Sequence, residues 1–176
     1  MVHKPVLLKE VLEYLNPQPG QKFIDATING GGHGLAIAER TGPNGRLLGI
    51  EWDEEIFKSL KFKVENSEFK DRVVLINDSY ANLKNIAKEN GFEEADGVLF
   101  DLGISSWHFE SGLGFSFQKD EILDMRFSLD VKVSALEIVN TWPAEELEKI
   151  IKEYGEESFA RVIAEKIAEE RKKGII

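Results

Sequence analysis

The sequence of 176 residues contains no cysteine, only three histidines and five prolines. Without cysteine, the chain can form no disulfide and has no thiolate for catalysis. No apolar run approaches the roughly 18 residues that a membrane-spanning helix requires. The N-terminal stretch MVHKPVLLKEVLEYL is interrupted by Lys9 and Glu10, so it does not resemble a signal peptide. These absences favour a cytoplasmic protein with no membrane partner.

Basic residues are outnumbered by acidic ones, 22 against 32, which gives a formal net charge of -10. This net charge argues against non-specific binding to nucleic acid, although a protein with this net charge can still have a local basic face. The histidines do not occur in pairs at the spacing of metal ligands, so no metal site is predicted. The hydrophobic fraction of 42% and the length are those of a globular domain with a sizeable core.

Helical and strand-like patterns alternate through the first 103 residues. They predict, in order, a helix over 5–15, a strand over 22–27, a helix over 32–40, a strand over 46–52, a helix over 53–65, a strand over 72–77, a helix over 79–91 and a strand over 95–103. This alternation is typical of a parallel α/β sheet with helices on both faces. After an aperiodic stretch, 105–127, three further helices are predicted, and in the last of them Phe159, Val162, Ile163 and Ile167 share one face.

Polar residues lie at the predicted end of every strand: Asp25, Glu51, Asn77–Asp78 and Asp101. In a parallel sheet these ends lie on one edge, and ligands bind outside that edge. The first strand leads into DATINGGGHG, where glycines allow backbone amides to approach a ligand at the start of a helix. Glu51, about 20 residues further on, suits ribose hydroxyls. The sequence thus favours a nucleoside ligand, against the simpler interpretation of a tight strand–helix turn.

Asp25 distinguishes between two nucleoside cofactors. The turn GGGH is not the G-x-G-x-x-G pattern of dinucleotide-binding domains, and a carboxylate before it would repel a pyrophosphate. The same carboxylate would attract the amino group of a methionine moiety. The sequence therefore favours S-adenosylmethionine (SAM) over NAD, and an NAD-dependent dehydrogenase is the disfavoured alternative.

Three side chains keep two interpretations each. Tyr80 either stacks on adenine or packs in the core. Asp101 either touches the ligand or the incoming substrate, or is a turn residue before Gly103. His33 either binds the ligand or is a partly exposed residue at a helix start.

Six segments carry a specific resemblance: HKPVLL, DATINGGGH, DGVLFDLGISS, GFSF, LDMR and YGEES, in this order. Together they resemble the RsmH (MraW) family over the whole chain from His3. The resemblance implies a SAM-dependent methyltransferase that modifies the N4 amine of a cytidine in small-subunit (16S) ribosomal RNA, with that RNA or the 30S subunit as partner. It also implies a Rossmann-like class I methyltransferase sheet with a helical domain inserted after the fourth strand.

The resemblance implies SAM contacts at seven positions of this sequence: Gly31, Gly32, His33, Glu51, Tyr80, Asp101 and His108. Glu51, Tyr80 and His108 stand where the family usually has Asp, Phe and Gln, and each keeps a comparable interaction. Asn29 replaces a usual glycine. Leu113 replaces an arginine before GFSF, which removes a guanidinium that could meet a phosphate.

The resemblance also implies a domain boundary and a chain that is shorter than its family members. We expect a SAM-binding domain over 1–127 with an incomplete sheet, and the start of the inserted helical domain over 128–176. Family members continue beyond this length, so the chain is expected to be C-terminally short. A truncated SAM-binding module with little or no catalysis is therefore the alternative function.

Methyl transfer requires positioning and no metal. A hydrogen-bond acceptor at the target amine would help it attack, and Asp101 or a backbone carbonyl in DLGIS could serve. Phe115, Phe117 and Trp107 could stack on the RNA base or belong to the core of the helical segment.

Overall fold

The computed structural model describes residues 5–176. Its strands are β1 (Lys22–Asp25), β2 (Arg46–Glu51), β3 (Val73–Asn77) and β4 (Gly97–Leu99). Its α-helices are α1 (Leu8–Leu15), α2 (Gly32–Thr41), α3 (Glu54–Glu65), α4 (Leu83–Asn90), α5 (Ala135–Thr141), α6 (Ala144–Glu153) and α7 (Ala160–Glu170). Short 3₁₀ turns cover Tyr80–Asn82 and His108–Glu110.

The four strands form one parallel sheet in the order β3-β2-β1-β4. From β1 the chain adds β2 and β3 on one side, and it then returns to add β4 on the other side of β1. Ligands of open α/β sheets bind at the point where the strand order reverses in this way. The Rossmann-like α/β fold class is confirmed. Several boundaries differ from the predicted ones. Helix α1 begins at Leu8 rather than 5, β1 ends at Asp25 rather than 27, and β4 spans Gly97–Leu99 rather than 95–103. The helix predicted over 79–91 begins with a 3₁₀ turn.

Alternating side chains of the central strands fill two cores, one on each face of the sheet. Phe23 and Leu47 are paired in register and pack with residues of α1, α2 and α3. Ile24 and Leu48, the next residues in each strand, pack with Ile86 of α4 on the other face. Because both faces are covered, these strands are nearly continuous apolar runs, as parallel strands require.

Two of the helices that pack on the sheet begin or end at residues with local capping interactions. The Asp53 side chain accepts hydrogen bonds from the backbone amides of Glu55 and Ile56 and caps α3. Gly91 ends α4 in the left-handed conformation, with φ 76°. Asp53 therefore marks where the chain turns back from the edge of the sheet that carries the polar strand ends, whereas Gly91 lies toward the opposite edge, before β4.

Contacts divide the chain into two compact units, Met1–Trp107 and His108–Ile176. In the second unit α6 packs along α7, and Leu147, Ala160 and Ala164 are buried. The guanidinium of Arg171 donates hydrogen bonds to the carbonyl oxygens of Val139 and Trp142, at the end of α5. The three helices predicted after the aperiodic stretch are confirmed. The functional boundary at 127/128 stays a prediction.

Within residues 5–176, no helix is both long enough and apolar enough to cross a membrane.

Candidate functional site

The turn between β1 and α2 is shaped by two left-handed residues. Asn29 has φ 48°, and its side-chain oxygen accepts a hydrogen bond from the Gly30 amide at 2.8 Å. Asparagine tolerates this conformation better than other residues with a side chain, which explains how it can stand at a position where the family usually has glycine. Gly31 has φ 83° and precedes α2 without a side-chain cap. The first amides of α2 therefore receive no capping side chain from Gly31, and a ligand can meet them.

The N-terminal segment lies against this turn. A Cβ on Gly32 would stand 3.0 Å from the Pro5 ring, so glycine allows the close approach. The His33 Nε2 donates a hydrogen bond to the Val6 carbonyl oxygen at 2.8 Å. Pro5 and Val6 of HKPVLL thus support DATINGGGH in the fold, although the two motifs are distant in the sequence. His3 and Lys4 of HKPVLL lie outside the described residues.

Asp25 lies beneath the glycine turn and is 1% exposed. Its carboxylate accepts hydrogen bonds from the backbone amides of Thr27 and Gly34. Burial raises the pKa of the Asp25 carboxyl to about 7, and the nearby charges of Asp101 and Glu51 act in the same direction. The side chain is therefore placed below the ligand-facing surface, where it orders the turn. A direct contact between Asp25 and a ligand stays a prediction.

A cleft of about 240 Å³ opens between the β1–α2 turn and the segment that follows β4. It is lined by Val6, Thr27, Ile28, Asn29, Gly32, His33, Asp101, Leu102, Gly103, Ile104 and Ser105. The Thr27 hydroxyl oxygen accepts a hydrogen bond from the Asp101 backbone amide at 2.7 Å. This bond fixes the chain just beyond the last paired residue of β4.

His33 and Asp101 face each other within this cleft. The His33 Nδ1 lies 3.6 Å from the Asp101 carboxylate oxygen. The histidine is 7% exposed, whereas the Asp101 side chain is 45% exposed. The carboxylate therefore has one side toward the imidazole and another toward solvent, from which a substrate can approach.

Glu51 ends β2, as predicted, and its carboxylate is held by the backbone. One carboxylate oxygen accepts from the Asp53 amide at 2.8 Å, and the Asn29 and Trp52 amides also donate to the group. Burial raises the pKa of Glu51, while these hydrogen bonds oppose the shift. Glu51 thus joins the glycine turn to the end of β2. Its contact with a ribose stays a prediction.

Tyr80 follows β3 and is 45% exposed. Its ring meets the Phe100 ring edge to face, with centroids 5.9 Å apart and planes at 88°. Tyr80 is therefore not a core residue.

His108 and the motifs GFSF and LDMR belong to the second unit. The His108 ring packs edge to face on Phe115 and Phe127, with centroid distances of 5.1 and 4.8 Å. The Arg126 guanidinium donates two hydrogen bonds to the Asp124 carboxylate and lowers its pKa. Residues of GFSF and LDMR therefore stabilise the segment between His108 and Phe127. The Phe117 side chain is 94% exposed. A SAM contact of His108 stays a prediction.

Sequence patterns did not point to Thr27 or Val6 as site residues. Thr27 acts through a hydroxyl acceptor and Val6 through a backbone carbonyl, and neither interaction has a distinctive spacing. Their only signal is adjacency, because both occur within the segments HKPVLL and DATINGGGH.

The sheet order, the glycine turn and the polar strand ends define a Rossmann-like α/β domain with a cleft at its carboxyl edge. Residues 1–176 match the model of the MraW methylase family, and the chain belongs to this family.

The chain resembles several curated proteins over part of their length. It is 46% identical over 173 residues to Ribosomal RNA small subunit methyltransferase H of Dictyoglomus thermophilum, covering 97% of this chain and 58% of that protein. The protein of the same name from Symbiobacterium thermophilum is 40% identical over 171 residues, covering 97% and 53%. A solved SAM-dependent methyltransferase from Aquifex aeolicus aligns with 42% of this chain and 38% of its own, at 19% identity and TM-score 0.37. The chain spans about half the length of the curated relatives it matches.

Proposed function

We propose that this chain binds SAM at the carboxyl edge of its sheet and contributes to methylation of a cytidine N4 amine in small-subunit ribosomal RNA. The observation that carries this proposal is the cleft in which Gly32 and His33, at the start of α2, face the segment anchored at Asp101. Family membership and the names of the relatives support the choice of substrate. The proposed partner is the RNA or the 30S subunit, and the proposed compartment is the cytoplasm.

The residues present fit the chemical parts of SAM. The amides of Gly32 and His33 stand at the start of α2, where Gly31 provides no side-chain cap, and such a helix start suits the carboxylate of the methionine moiety. Glu51 presents a carboxylate at the end of the neighbouring strand, where ribose hydroxyls could donate to it. Tyr80 offers an exposed ring to adenine. His108 is proposed as a further contact, from the family resemblance alone.

When bound, SAM supplies an electrophilic methyl group on a sulfonium. Transfer would join that methyl carbon to the amine nitrogen as the carbon–sulfur bond breaks, leaving S-adenosylhomocysteine. The proton lost by the amine would pass to solvent on the exposed side of Asp101. The chain's contribution is to hold the two reactants in line. The exposed side of Asp101 can accept a hydrogen bond from the amine, which directs the nitrogen lone pair toward the methyl carbon. The Thr27 hydroxyl holds the Asp101 backbone in place for this contact.

A second candidate is a module that binds SAM but transfers little or no methyl. One observation favours it: the net charge is -10. An acidic chain of this length has little attraction for RNA phosphates.

One sample can separate the two candidates. Calorimetric titration with SAM, S-adenosylhomocysteine and NAD measures cofactor binding. Transfer of a tritiated methyl group to small subunits lacking the modification measures catalysis. The proposed function predicts SAM binding with methyl transfer, and the second candidate predicts SAM binding with weak or no transfer. Robust turnover at a single cytidine would eliminate the binding module, and tight NAD binding without a response to SAM would overturn both candidates.

A further inference from the structure

Two aromatic rings stand at the same edge of the sheet as the cleft. Tyr80 follows β3, Phe100 follows β4, and these strands are the two outer strands of the order β3-β2-β1-β4. Their rings nevertheless touch, with centroids 5.9 Å apart. Because β2 and β1 lie between the two outer strands, the rings meet across the carboxyl ends of the central strands.

Both rings are unusually exposed for a contacting aromatic pair. Tyr80 and Phe100 each remain 45% exposed, so the edge-to-face contact leaves ring surface in water. Large apolar rings favour burial, and such exposed area is available to a planar apolar partner.

The backbone around Phe100 is anchored on both sides. The Leu99 carbonyl oxygen accepts from the Ala26 amide at 2.9 Å, and the Asp101 amide donates to the Thr27 hydroxyl at 2.7 Å. The position of the Phe100 Cα is therefore fixed relative to the β1–α2 turn, and its side chain is 45% exposed. An anchored backbone holds this exposed ring at the carboxyl edge of the sheet, where a ligand can reach it.

We propose that Phe100 is a second adenine-contacting residue, and that the Tyr80–Phe100 edge contact is exchanged for ring–base contacts when the nucleoside binds. The inference rests on the proposed SAM function. A base stacked between two parallel rings needs a centroid separation of about 7 Å, two contact distances of about 3.5 Å each. The observed edge-to-face geometry leaves no such slot, so one ring must turn to admit the base.

The test measures S-adenosylhomocysteine binding to wild type, Phe100→Ala and Tyr80→Ala by calorimetry. Phe62→Ala is the matched control, because Phe62 is an exposed phenylalanine (71%) on α3. Loss of one base–aromatic stacking contact weakens binding by roughly five- to hundredfold. We expect that loss for Phe100→Ala and Tyr80→Ala, and wild-type affinity for Phe62→Ala.

A ligand-side measurement separates contact from a structural effect. In wild type, the adenine H2 and H8 protons of bound S-adenosylhomocysteine should shift upfield in the NMR spectrum because of the ring current. Phe100→Leu keeps an apolar side chain for folding and should lose part of that shift at an unchanged melting temperature. If wild type binds S-adenosylhomocysteine and the Phe100 variants keep both its affinity and its upfield proton shifts, the inference about Phe100 is wrong, while the proposed function still stands. Failure of wild type to bind S-adenosylhomocysteine would overturn the proposed function as well.

Discussion

The Thr27 hydroxyl oxygen accepts a hydrogen bond from the Asp101 backbone amide at 2.7 Å, joining the loop after β1 to the loop after β4. Thr27→Val removes this acceptor at nearly constant side-chain shape, whereas Thr27→Ser retains it. We expect Thr27→Val to lose about 1 kcal/mol of unfolding free energy and to bind SAM more weakly, because Asp101 is no longer positioned. Urea unfolding and calorimetry measure the two effects. Equal behaviour of the Val and Ser variants would show that the bond does not order the cleft.

Glu51→Ala should weaken SAM binding, because the ribose hydroxyls would lose a charged acceptor. Hydrogen bonds to charged groups contribute roughly 1.5–3 kcal/mol, so we expect about a ten- to hundredfold increase in the dissociation constant. Glu65→Ala on α3 is the control, since that carboxylate is exposed and forms only a surface ion pair with Lys61. The melting temperature must be recorded too, because Glu51 also accepts from the Asp53 amide. Unchanged affinity would place Glu51 away from the ribose.

Gly34→Ala should destabilise the protein although alanine usually favours helices. A Cβ on Gly34 would stand 2.9 Å from the Asp25 carboxylate and 3.0 Å from Ile28, both of which are buried. Overpacking costs about 1–3 kcal/mol and outweighs a helix-propensity gain of about 0.5–1 kcal/mol. Gly30→Ala in the same turn is the control, because its Cβ would meet nothing within 4 Å. Thermal unfolding measures the difference, and equal melting temperatures for the two variants would contradict the expected crowding.

Asp25→Asn should reduce the dependence of stability on pH. The folded-state pKa of Asp25 is raised from 3.8 to about 7, so the folded protein binds a proton more tightly than the unfolded chain. This contribution is fully present below the unfolded pKa and is lost as pH rises through about 7. Between about pH 4 and about pH 8 we expect wild type to lose roughly 2–4 kcal/mol more than the variant.

The comparison with Asp25→Asn isolates that one carboxyl. The raised pKa of Glu51 acts in the same direction but is common to both proteins. Asparagine can still accept from the Thr27 and Gly34 amides through its side-chain oxygen. Denaturant unfolding at several pH values supplies the measurement. Parallel stability profiles for the two proteins would mean that Asp25 is ionised throughout.

Local patterns predicted most of the secondary structure because local chemistry controls it. Asp53 caps α3 through amides two and three residues away, and Gly91 ends α4 with a positive φ. Phe100–Gly103 continues the apolar pattern of β4 but leaves the sheet, because the Asp101 amide bonds to Thr27 rather than to a strand. A side-chain acceptor 74 residues away has no signal in the local pattern.

The packed face of α7 could not be derived from apolar spacing alone. Phe159 and Val162, on the predicted apolar face, are 68% and 62% exposed, whereas Ala160 and Ala164 are buried. Close approach of two helices favours small residues at the contact, and hydrophobicity by itself does not distinguish the two faces.

The sequence by itself determined the alternation of strands and helices along the chain, the glycine turn and the presence of polar residues at the strand ends. Each of these depends on residues close in the chain. Tertiary structure alone decided how those residues are used. It buried Asp25 below the turn, set His33 against Val6 and Asp101, and brought the Tyr80 and Phe100 rings together. Burial and contacts between distant segments arise only when the sheet has formed, because strand order fixes which loop ends become neighbours.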